Sequence, residues 1–344
     1  MAHGARRMAQ CPFLPSADEF RVVLMYPSIN LMPEAPVDRL VEVASAAERL
    51  GYRRCWVYDE GLAARDVYVV LTAIASATTA IRLGTGITNP YTRHPAVSAA
   101  AIATLDELSG GRAFLGWGAG GSLSLDPLAL ARTTPLAAVE DAIVAARALY
   151  AGGTVDLDRA TLSLRSASLV TPARGIDIWL AGRGPRMLAL GGRVADGVML
   201  EFIHRDRLAD SFRFVTDAAA SAGRTVRLSY STMVVTDAHT LDLMRKHMAY
   251  RLVDSPPEVH LMLGITPADL DRLRSALAVG LEEAADLVPD EWVLPFVIHG
   301  TVEECGDQLG ELAAKGVEEF LLPVLEIDTA EQLMAVTAAA FSRL

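Results

Sequence analysis

The chain has 344 residues, enough for two domains or one large barrel, and at this length roughly three quarters of the unfolded surface can be buried. Lys and Arg total 31 against 42 Asp and Glu, a formal net charge of −11 with no basic block, so neither a nucleic acid nor an anionic membrane surface, both of which need a basic face, is expected as a partner. Cys11, Cys55 and Cys305 are few, distant and odd in number, which fits a reducing cytoplasm better than a disulfide framework or a cysteine metal site.

The opening MAHGARRMAQCPFLPS has a basic pair, Arg6 and Arg7, with no apolar run behind it, so residues 1–18 read as a disordered leader and 19–344 as one domain. Phe20–Tyr26 (FRVVLMY) predicts a first buried strand ending at Pro27. Apolar spacing predicts a helix over Pro36–Leu50, stopped by Gly51. RCWVYD, ending at Asp59 with Glu60 behind it, is the second strand, and Val67–Thr79 the next helix. The uncharged run Val67–Ile81 is too short and too rich in Thr, Ser and Ala to span a bilayer. IRLGTGI, from Ile81, is the third strand. Pro95 opens a third helix that SGG at Ser109 ends. RAFLGWG is the fourth strand, and a helix over Pro135–Tyr150 follows. TVDLDRATLSLRSASL alternates with period two, as in a solvent-facing hairpin. DIWLA (Asp177–Ala181), GVMLEF and VRLSYSTMVV are strands five to seven, with helices opening at Pro185 and near Arg207. Residues 237–290 read as a helical insertion larger than one crossover needs. Thr301–Lys315, EEFLLPVL and Thr329–Leu344 complete the last units.

Strands and helices alternating at intervals of about 30 residues predict βαβ units and a parallel sheet. Eight such units point to a (β/α)8 TIM barrel with a β-hairpin insertion and a helical insertion before the last unit. A doubly wound sheet needs a Gly-rich turn after its first strand, and YPSINLMPE stands there instead. Hydrophobic residues make up 51% of the chain, which suggests that part of the surface is covered by another copy in a homodimer or higher homo-oligomer.

Barrel chemistry sits at the carboxyl ends of the strands. That rule selects Tyr26, Asp59 with Glu60, the stretch from Thr85 to Asn89, Trp117 to Gly121, Ala181 to Arg186, and Glu201. Gly84 and Gly86 give up packing inside an apolar strand, which suggests a flat ligand lying against the strand end. In AGRGPRM the glycines free backbone N–H groups, Pro185 starts a helix whose N-terminus attracts an anion, and Arg183 and Arg186 add fixed charge. Asp59 and Glu60 read as proton donors in an apolar pocket, or as an N-cap or partners of Arg65. His94 reads as the cap of the Pro95 helix or as a lining of the loop, and Trp117 as core or as a wall of the site. The histidines show no metal-ligand spacing, and no GxSxG elbow occurs.

TGITNPYTRHP, TLDELSGGRAFLGWGAGG and GRGPRMLALGGRVADGVML, spanning most of residues 54 to 201, together resemble the luciferase-like flavin and deazaflavin oxidoreductases. The likeness is greatest to the branch related to methylenetetrahydromethanopterin reductase. The resemblance implies that a bulge in strand three presses on the back of the cofactor ring through a non-prolyl cis peptide joining Gly86 to Ile87, and Thr85, Thr88, Asn89 and Gly118 are read as cofactor-binding with them. It implies that Gly182, Arg183, Gly184 and Pro185 hold the cofactor phosphate, and Ala181 and Arg186 are read as cofactor-binding beside them. Relatives using the deazaflavin place a histidine after strand two and a glutamate after strand four. This chain has Glu60 at the first place and Gly121 near the second, which leaves Glu60 and Asp59 as the catalytic candidates. The implied activity is hydride transfer between coenzyme F420, an 8-hydroxy-5-deazaflavin, and a small organic substrate. The alternatives are an FMN-dependent monooxygenase or a non-catalytic flavin-binding protein.

Overall fold

Alternation along each strand sends successive side chains to opposite faces, and in this chain the two faces have different company. A computed structural model describes residues 25–171 and 173–344. Eight strands, β1 (Tyr26–Leu31), β2 (Arg54–Val57), β3 (Arg82–Thr85), β4 (Ala113–Trp117), β5 (Asp177–Ala181), β6 (Gly197–Glu201), β7 (Arg227–Ser231) and β8 (Glu319–Val324), pair in parallel in chain order and close β8 onto β1. The outward set, including Ile29, Val57, Leu83 and Leu322, belongs to the main core beneath the helices. The inward set forms its own cluster of Trp56, Phe114, Trp179, Met199 and Leu321.

At the amino ends of the strands the interior is closed by charge. Arg54 pairs with Glu319 at 2.8 Å, Trp56 Nε1 donates to the same carboxylate at 2.9 Å, and the Arg54 guanidinium lies 4.8 Å over the Trp179 ring. Asp177 is held by Arg82 at 2.6 Å and Arg227 at 3.0 Å. Tyr26, selected from sequence as a strand end, starts β1 instead and bonds Arg54 at this closed end.

β3 and β4 approach too closely for side chains at two points. A Cβ on Gly84 would meet the Phe114 carbonyl oxygen at 2.2 Å, and one on Gly116 the Thr85 carbonyl oxygen at 2.3 Å. Helix Pro95–Ser109 is capped by His94 Nδ1, which accepts from Ala96 N at 3.2 Å, and Val67–Ala77 by Asp66. The hairpin pairs Val155–Asp158 with Ser163–Ala167. The insertion contributes helices Ala238–Val253, Pro257–Leu263, Pro267–Leu277 and Leu281–Ala285.

Two strand readings change. Residues 20–24, like the 1–18 leader, lie outside the described residues, and the described β1 continues through Pro27 to Leu31. Proline is tolerated because its carbonyl accepts from Arg53 N at 2.9 Å, so its missing N–H faces the same side, where β2 pairing begins only at Ile29. Strand seven splits, because the chain leaves the barrel after Ser231 and Val234–Val235 pairs instead with Ile298–His299. Among the described residues no helix is long and apolar enough to cross a membrane, and no group of three His, Cys, Asp or Glu side chains is placed to hold a metal.

Candidate active site

A cavity of about 380 Å³ opens at the carboxyl ends of the strands. Its first wall is the bulge after β3. The Gly86–Ile87 peptide is cis, as the family resemblance implied. Asn30 Nδ2 donates to the Gly86 carbonyl at 2.7 Å, while Thr88 N donates to Gly116 O at 3.0 Å and Gly118 N to Thr88 O at 2.9 Å. A Cβ on Gly86 would lie 2.5 Å from Asn30 Oδ1, and one on Gly118 1.8 Å from Ile87 Cδ1, so both glycines are required for Ile87 to sit where it lines the cavity. Thr88 and Asn89 line it too. Thr85 does not: its hydroxyl donates to Gly116 O at 2.8 Å and accepts from Gly116 N at 3.0 Å, so it fastens β3 to β4. Gly118 is likewise behind Ile87 rather than in the lining, and Trp117 is fully buried core.

The second wall is the turn after β5. Ala181, Gly182, Arg183 and Gly184 line the cavity, and Gly184 begins helix Pro185–Val194 with no side-chain cap, which leaves first-turn N–H groups available to an anion. Arg183 makes no hydrogen bond or ion pair among the described residues. Pro185 and Arg186 belong to the helix and stay out of the lining.

Three carboxylates form the third wall. Asp59 Oδ2 accepts from Thr88 Oγ1 at 2.6 Å, and Glu60 Oε2 accepts from Ser124 Oγ at 2.7 Å. Burial pushes the proton affinity of both above the ordinary carboxylate range, partly offset by these hydrogen bonds. Glu60 supplies no side-chain cap to the turn at Gly61–Ala63, and Arg65 bonds the Glu34 carbonyl instead. Burial also opposes charge on Glu201, but here the Arg251 guanidinium at 2.8 Å overrides it, and Tyr58 OH donates at 3.0 Å, so this carboxyl is held below its usual range.

Sequence reasoning placed Glu201 at a strand end without a role and missed Tyr58, Ser124 and Arg251. Tyr58 continues the inward parity of Arg54 and Trp56, a signal present in the sequence. Arg251 arrives from helix Ala238–Val253, and no strand-end rule reaches it.

Residues 19–319 match the family model described as luciferase-like monooxygenase. The chain is 32% identical over 301 residues to the 5,10-methylenetetrahydromethanopterin reductase of Methanolobus tindarius, covering 85% of this chain and 92% of that protein. It is 28% identical to the F420-dependent glucose-6-phosphate dehydrogenase of Mycolicibacterium fortuitum, covering 82% and 86% respectively. The solved coenzyme F420 dependent tetrahydromethanopterin reductase of Methanopyrus kandleri superposes with a TM-score of 0.84 at 24% identity, over 91% of this chain and 98% of that one.

Proposed function

The chain belongs to the luciferase-like monooxygenase family, and from that membership we propose that it is a coenzyme F420-dependent oxidoreductase moving a hydride between the deazaflavin and a small organic substrate. The observation that carries this reading is the pairing of two features in one cavity. One is a glycine-cleared wall carrying Ile87; the other is an uncapped helix start with an unpaired arginine. A flat ring with a phosphorylated tail fits that pair: a Cβ at Gly86 or Gly118 would displace the wall, and the N–H groups beyond Gly184 with Arg183 suit an anion.

When bound, the coenzyme supplies a carbon-centred hydride donor or acceptor that reacts poorly with oxygen. Gly182, Arg183 and Gly184 would hold its phosphate, and Gly86, Ile87, Thr88 and Asn89 would support its ring. The protein's own part is to align donor with acceptor and shield both from water, which lowers the entropic share of the barrier. Glu60, whose proton affinity burial raises, is placed to donate to the substrate atom that gains charge, with Asp59 beside it. We read the chain as a cytoplasmic homo-oligomer. Exposed Val69 and Val97 on the packed helices Val67–Ala77 and Pro95–Ser109 support the oligomer, and the small, odd number of cysteines supports a reducing compartment.

An oxygen electrode and a spectrophotometer test the activity. With reduced F420 under argon and a panel of carbonyl, imine and methylene-bearing acceptors, the coenzyme should be reoxidised by at least one. With reduced FMN in air, oxygen uptake should stay at the uncatalysed rate. Catalysed uptake with reduced FMN would make the protein a monooxygenase.

A further inference from the structure

Arg251 enters the cavity from an insertion that closing the barrel does not require. Its Nη2 donates to Glu201 Oε2 at 2.8 Å, its Nε donates to His247 Nε2 at 2.8 Å, and its guanidinium lies 4.7 Å over the Phe202 ring. The pair is nearly enclosed, with Arg251 10% and Glu201 18% exposed. Phe202, directly after Glu201 and beneath the Arg251 guanidinium, has φ of 46°, a conformation that is a genuine outlier for a bulky side chain. Its N–H is tied to Ser231 O at 3.0 Å. His247 accepts through Nε2, and burial with the neighbouring arginines keeps it uncharged, so the helix contributes one net positive charge here, and Glu201 receives it.

Resting on the proposed function, we infer that Arg251 is a positioning residue: its ion pair with Glu201 fixes the charge at the barrel mouth, so that proton transfer falls to Glu60. The groups around Glu60 are Asp59 on its own strand end, Ser124 from the short helix Ser122–Leu125 after β4, Glu201 on β6, and Arg251 and Tyr250 from the inserted helix, while Arg132 and Arg183 line the same cavity. With the pair intact, Glu201 raises and Arg251 lowers the proton affinity of Glu60 in opposition, beneath the larger effects of burial, the Ser124 hydrogen bond and Asp59. Removing either partner unbalances them in opposite directions.

The test is a titration of the glutamate carboxyls by 13C NMR in cofactor-free protein, with Glu60 assigned by its loss in Glu60→Gln. Glu201→Gln leaves Arg251 uncompensated and should move the Glu60 midpoint down. Arg251→Met leaves Glu201 uncompensated and should move it up. Arg251→Lys should restore most of the wild-type midpoint, and the double variant Arg251→Met with Glu201→Gln should lie close to it. The double variant also serves if a single one fails to fold, since it leaves no unpaired charge. Unmoved Glu60 titration in the folded single variants, or a double variant as displaced as either single, would overturn the inference. Because no cofactor is present, that failure is separate from a failure to bind F420.

Discussion

Glu60 and Asp59 are adjacent in sequence yet hold different partners, Ser124 and Thr88, and burial favours the protonated form of both. A step that takes a proton from Glu60 therefore loses rate as pH rises through its raised midpoint. The linkage has the same sign for stability: the folded state holds this proton more tightly than the unfolded chain, so the contribution is full below the ordinary carboxylate range and lost as pH rises through the raised one. Glu60→Gln should reduce hydride transfer by about a hundredfold or more and flatten that limb, with the melting temperature unchanged or higher. Pre-steady-state transfer at several pH values checks this, and wild-type rates would shift the role to Asp59. Arg183 and Arg186 looked equivalent in sequence, but only Arg183 lines the cavity. Arg183→Ala should weaken coenzyme binding by about 1 to 3 kcal/mol, whereas Arg186→Ala should bind as the wild type does. The sequence could not separate them, because which arginine faces inward depends on where the helix starts turning after Gly184.

At the scale of elements, the contact of β3 with β4 sets the bulge. Gly116→Ala would press a methyl group onto the Thr85 carbonyl, a backbone atom that cannot rotate away. The cost should be about 1 to 3 kcal/mol of stability, seen as a lower denaturation midpoint, and coenzyme affinity should fall with it because Thr88 is hung on Gly116. Most elements were legible: the helix at Pro95–Ser109 and the strand at Asp177–Ala181 have the bounds that proline, glycine and β-branched residues implied. β1 was ended too early in the sequence because Pro27 reads as a stop unless its pairing side is known. Strand seven was overextended because VRLSYSTMVV keeps its alternation across a point where the chain changes sheets. The inserted helices were legible as helices, but a local pattern carries no information about the long-range packing that brings Arg251 to Glu201.

Over the whole molecule, the barrel is closed by ions at its amino end and left open at the other, where a ligand can enter. Arg54→Met would strand Glu319 inside the barrel and should cost about 3 to 5 kcal/mol, while adding Glu319→Gln should recover much of it; denaturant melts of the two variants check this without touching the site. The chain's general architecture was readable from alternation and spacing alone, since eight units leave few ways to bury a parallel sheet. The cavity lining was readable in the part built from local turns, at Gly86, Ile87 and Gly182 to Gly184, and closed to reading where it is assembled from side chains far apart in sequence. The central claim is that this assembly is made for a deazaflavin, and it is tested most directly by equilibrium fluorescence titration of the purified protein with coenzyme F420 and with FMN at one salt concentration. F420 should bind more tightly than FMN, and tighter binding of FMN would contradict the assignment.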